Sequence, residues 1–91
     1  MPPKRPERTF GRASSTFIPF SVPERGIVTL RIFDTTGREV RTLANDVEEP
    51  GERQVEWDGR NAMGELVPAG IYVYELRAPG IEAARKLVRL R

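Results

Sequence analysis

Asp58, Asn61 and Glu65 fall within one fourteen-residue stretch, "WDGRNAMGELVPAG" (57–70), together with Gly59, Gly64, Pro68 and Gly70. Oxygen-bearing side chains at that density are the material of a hard-cation site, and Glu75 nearby extends the invitation. A calcium loop needs five or more oxygens at alternating positions, whereas these three groups are too few and irregularly spaced. The mechanical reading gives the same residues other work: Asp58 accepts backbone N–H groups in an Asx-type turn, and Gly59 and Gly64 supply φ > 0. Asp34 and Asp58 form a second candidate pair, for carboxylate acid–base chemistry. Both close an alternating run just before a glycine turn, which is the place of a turn former. The remaining candidates are the basic groups Arg85, Lys86, Arg89 and Arg91 at the end of the chain.

The chain has 91 residues and neither cysteine nor histidine. That removes thiolate nucleophiles, disulfides and cysteine-based metal sites, and with histidine goes the commonest general base and metal ligand. What survives is carboxylate chemistry, which needs a cleft that so small a domain rarely encloses. No enzyme activity, no metal and no cofactor are therefore expected. With 38% hydrophobic residues the chain has room for one core,. No run of eighteen apolar residues offers a membrane span, so membrane insertion is not expected, and no charged-then-apolar leader opens the chain.

The net charge of +2 is unevenly spread. Lys4, Arg5, Arg8 and Arg12 against Glu7 give the first twelve residues +3; Arg85, Lys86, Arg89 and Arg91 give the last seven +4; the middle is −5. Basic ends suit phosphate, nucleic acid or anionic headgroups. They equally suit a solvated linker and an edge strand blunted by charge, and on that reading no nucleic-acid partner is expected.

These groups need a frame to position them. "MPPKRPER" has three prolines and four charges in eight residues and can bury nothing, so residues 1–13 read as a flexible basic linker or lead-in and 14–91 as the domain,. From Ser14 onward short apolar alternations recur, each bounded by Gly, Pro, Asn or Asp, which predicts an all-β antiparallel sandwich of about seven strands. "STFIPFSV" turns Thr16, Ile18, Phe20 and Val22 to one face, with Pro19 marking a sheet edge. "IVTLRIFD" points Val28, Leu30 and Ile32 inward. In "REVRTLA" the apolar Val40 and Leu43 stand three apart, so burying both needs a bulge or a strand end. "NDVEEPGE" reads as a polar connection. "RQVEWD" sets Val55 and Trp57 inward, and "IYVYELRA" does the same for Tyr72, Tyr74 and Leu76. Trp57, Tyr72 and Tyr74 are thus core residues before they are a stacking platform for sugars or bases. Pro79 and Gly80 make a hairpin turn into "IEAARKLVRLR". That segment also fits a helical spacing, but the turn favours a strand with Lys86, Val88 and Leu90 sharing a face and the arginines solvated.

Three stretches, "PFSVPERGIVTLRIFDTTGREVRTL", "WDGRNAMGELVPAGIYVYEL" and "ARKLVRLR", together resemble the FlgD-type immunoglobulin-like domain, and in particular the C-terminal sorting domains of type IX secretion cargo. Within that resemblance Pro23, Gly26, Asp34 and Gly37 look like the first sorting motif, Gly70 and Tyr72 like the second, and Lys86 like the basic residue of the terminal one. Trp57, Asp58 and Gly59 form the loop that a flagellar hook-capping protein shares. Where many relatives begin with an Asn-Pro-rich lead, this chain has "GRASS".

The resemblance implies an immunoglobulin-like β-sandwich that acts as a non-catalytic secretion signal. Its partners would be outer-membrane components of the type IX system and a sortase, with a cargo enzyme or adhesin upstream. Its route would run through the periplasm and outer membrane to the cell surface. The alternatives are a hook-capping assembly module and a carbohydrate-binding or adhesion sandwich. Lys86 has two readings, recognition by the export machinery and a stem laid over the core with its ammonium in water.

Overall fold

Val28, Leu30 and Ile32 alternate with Ile27, Thr29 and Arg31, and this period of two builds the central strand of the molecule,. The computed structural model describes residues 15–90. The expected lead-in at 1–13 and the terminal Arg91 lie outside them. Six strands follow in order: β1 (Thr16–Val22), β2 (Gly26–Asp34), β3 (Glu39–Glu48), β4 (Gly51–Trp57), β5 (Gly70–Ala78) and β6 (Ile81–Arg89). β1 and β4 pair as a two-stranded sheet, and the other four form a sheet in the order β3-β2-β5-β6, with every pairing antiparallel. The two sheets make an immunoglobulin-like antiparallel sandwich. A single bridge between Arg60 and Leu66 lies outside the named strands.

The core lies between the sheets. Ile18 and Val22 come from β1, Val28, Leu30 and Ile32 from β2, Trp57 from β4, Tyr72 and Leu76 from β5, and Leu87 from β6. Burying each contributes roughly 1.5–3 kcal/mol relative to exposure. Trp57 is the largest fully buried side chain and meets Tyr72 edge to face, with ring centroids 5.3 Å apart, so truncating it to alanine costs about 3–5 kcal/mol. Pro19 is exposed on β1, a strand paired on one side only, where a missing N–H leaves no gap in a ladder.

Two expectations need correction. "NDVE" is strand: β3 runs on to Glu48, with Asn45 opposite Thr29 and Val47 opposite Ile27. Its side chains are polar because β3 is a sheet edge whose outer residues face water, so backbone pairing continues where apolar alternation stops. On β6 the correction concerns Arg89, expected to be solvated; Lys86, Val88 and Leu90 share a face, and it is the outer one. Leu87 and Arg89 are buried, while Lys86, Val88 and Leu90 are exposed. Pro79 and Gly80 form a two-residue turn, with φ of +75° at Gly80, and pair Ala78 with Ile81. That register puts Leu87 opposite the buried Tyr72, and directly paired residues share a face,.

Candidate functional site

The loop between β4 and β5 is held by its own polar groups. Asp58 Oδ1 accepts the Arg60 N–H at 3.1 Å and an Arg41 guanidinium N–H at 3.2 Å. Asn61 Oδ1 accepts the Met63 and Glu65 amides at 2.9 and 3.0 Å, and the Asn61 side-chain amide donates to Glu65 Oε1 at 3.3 Å. The indole N–H of Trp57 donates to the Arg60 carbonyl at 3.0 Å, which ties the loop to the core ring beneath it. Gly59 and Gly64 have φ of +78° and +83°. The Asp58 and Asn61 oxygens singled out for a cation thus accept backbone amides, and that of Glu65 accepts the Asn61 side-chain amide. Among the described residues no group of three or more acidic side chains gathers as a metal cage would require.

Tyr72 closes the loop at its far end. Its hydroxyl donates to the Pro68 carbonyl, four residues upstream, at 2.6 Å. A tyrosine near the start of a strand that bonds back to upstream backbone is a hallmark of immunoglobulin-like sandwiches. Trp57 is fully buried and Tyr72 is 6% exposed, so neither presents a ring for stacking.

Asp34 organises the turn between β2 and β3. Its Oδ1 accepts from the Thr36 hydroxyl at 2.6 Å, the Thr36 amide at 2.9 Å and the Arg38 amide at 3.1 Å. The Thr36 hydroxyl, then the Arg38 amide, hold the carboxyl below its ordinary range despite some opposing desolvation. Gly37, at φ +88°, completes this turn, and Pro23 lies in the link between β1 and β2. Asp34 and Asp58 each accept hydrogen bonds within a separate turn.

The structure separates the terminal basic residues. Arg85 and Lys86 are exposed on opposite faces of β6, and Arg91 lies outside the described residues. Arg89, expected to be solvated, is 6% exposed. It packs against Gly59, where a Cβ would come within 2.6 Å of a terminal guanidinium nitrogen. Its Nε is buried without a hydrogen-bond partner among the described residues. Two residues singled out for different reasons, Gly59 and Arg89, are therefore brought together. Arg41 was missed from the sequence. It joins Asp58 to the Arg60 carbonyl from the neighbouring strand β3, and no local spacing announces a contact over seventeen residues.

Among the described residues β6 is an unpaired edge, and the outer face beside it exposes Ile71, Lys86, Val88 and Leu90. Such exposed apolar groups next to an unpaired strand fit protein contact.

Residues 12–80 match the family described as the FlgD Ig-like domain. A comparison with curated proteins found no match. Among solved structures, the chain is similar to FlgD from P. aeruginosa, with a TM-score of 0.65 and 20% identity over 86% of this chain and 61% of that one. It is also similar to FlgD from Xanthomonas campestris, with a TM-score of 0.60 and 26% identity over 85% of this chain and 56% of that one. The latter structure is described in terms of the hook capping essential for flagellar assembly. The chain thus spans less than two thirds of either FlgD chain.

Proposed function

The chain belongs to the FlgD Ig-like domain family, and from that premise we propose that it is a non-catalytic assembly module of the hook-capping kind, working by surface contact at the cell exterior. The observation that carries this reading is the family match over residues 12–80, with likeness to two FlgD structures in its support. A role in contact is supported by the loop itself, in which Asp58 accepts the Arg60 amide, Glu65 accepts from Asn61, and the Trp57 and Tyr72 rings are buried. In the test, residues 12–90 replace the Ig-like domain of a FlgD protein in a strain lacking its own. Restored hooks and swimming are expected. A stable, exported hybrid that builds no hooks would overturn the reading.

A second reading, a type IX sorting domain, is favoured by one feature: Lys86 stands exposed on an open final strand. Fusing residues 14–91 to a periplasmic reporter should then carry it to the surface of a type IX host. Deleting "RKLVRLR" is a poor control, because it also removes the buried Leu87 and Arg89. Lys86→Glu leaves the core intact, and undiminished export of that variant would count against recognition through Lys86.

A further inference from the structure

The outer face of the larger sheet divides into two halves of different chemistry. In one half the charges answer one another: Arg77 pairs with Glu75 and Glu82, and Arg31 with Glu39 at the border. In the other half Phe33 lies opposite Val73, Val73 opposite Lys86, and Ile71 opposite Val88, and directly paired residues share a face. The alternate residues Tyr72 and Leu87 are buried, so this group looks outward. Ile71 and Val88 are 48% and 55% exposed, and Leu90, just past the end of β6, is 70% exposed. Apolar side chains gathered in this way mark an interaction surface.

Lys86 decides what covers it. Its side chain is exposed within the apolar half and forms no ion pair among the described residues. We propose that this face docks a partner protein of different sequence, whose contact surface sets a carboxylate among apolar side chains so that the carboxylate meets Lys86. A second copy presenting the same patch would bring another Lys86 and no unpaired acid, because Glu39, Glu75 and Glu82 are held by Arg31 and Arg77. Covering a cation without an opposing charge is costly. Against a lipid surface one lysine is too few, since headgroup binding takes a cluster of basic residues, and the neighbouring Arg85 is on the opposite face of the strand.

The test uses the full-length native protein in its own host, with a benzophenone amino acid in place of Val88 or, as a control on the charge-paired half, in place of Arg77. After irradiation the cross-linked peptides are sequenced by mass spectrometry. The Val88 position should capture a peptide of another protein in which Asp or Glu stands beside apolar residues, and the Arg77 position should not. Adding K86E should lower that yield at least about tenfold, and changing the captured carboxylate to lysine should restore it. Lys86 is exposed, so K86E leaves the core intact, and circular dichroism of the purified variants checks their folding. Cross-links from Val88 to a second copy of this chain or to lipid, no cross-link at all, equal capture at both positions, or a yield unmoved by K86E would each overturn the proposal. The family-based function is not tied to this face, so failure here leaves it standing.

Discussion

Gly59 answers two separate demands, one from its own backbone and one from β6. Its φ of +78° lies where a side chain is strained, and the Arg89 guanidinium occupies the space a Cβ would need. Gly64 has a similar φ of +83° but nothing within 4 Å of that position. The comparison separates the two costs: G64A should lose about 1–2 kcal/mol from backbone strain, and G59A should lose about 1–3 kcal/mol more from overpacking. Urea unfolding of both variants checks this, and equal losses would mean that the Arg89 contact yields freely. Asp34 makes a prediction in pH. Its folded-state pKa is lowered, so its stabilising contribution is fully present above the ordinary value of 3.8 and is lost as pH falls through the lower, folded value,. NMR titration should place the Asp34 midpoint below 3.8, and D34N should flatten the acid limb of stability in that window. A midpoint at or above the ordinary value would contradict the turn's role.

At the scale of elements, the β5–β6 turn is fixed from outside as well as within. Pro79 lies against Gly26 at the start of β2, where a Cβ would run into the proline ring. G26A should therefore destabilise by roughly 1–3 kcal/mol, and most of that loss should disappear in a P79A background; additive losses would contradict the contact. The same turn explains what was legible in the sequence. Alternation located β1, β2, β4 and β5 and their inward residues, because polar residues such as Ser21, Arg31, Glu56 and Glu75 mark the face opposite the core. The spacing of Val40 and Leu43 announced an irregularity, and β3 shifts register against β2 at both residues. β6 has apolar residues on both faces, so alternation could not orient it, yet counting back from the two-residue turn pairs Leu87 with Tyr72. The polar half of β3 was illegible because an exposed edge needs only backbone pairing. Arg89 was misjudged because its burial depends on the Gly59 loop, thirty residues earlier in the chain.

For the whole molecule, burial of Arg89 changes what the basic terminal strand can offer. Arg85 and Lys86 remain its exposed cations among the described residues, on opposite faces of the strand, which is a sparse arrangement for tracking a phosphate backbone,. Rigid turns, a buried Trp57–Tyr72 pair and two open edges suit a module whose output is contact with other proteins. The hook-capping and sorting readings assign that contact to different places. The most direct measurement is immunogold localisation of the full-length native protein in its own host. The account predicts label at the distal ends of growing flagellar hooks; label spread over the cell surface, with none at hooks, would contradict it.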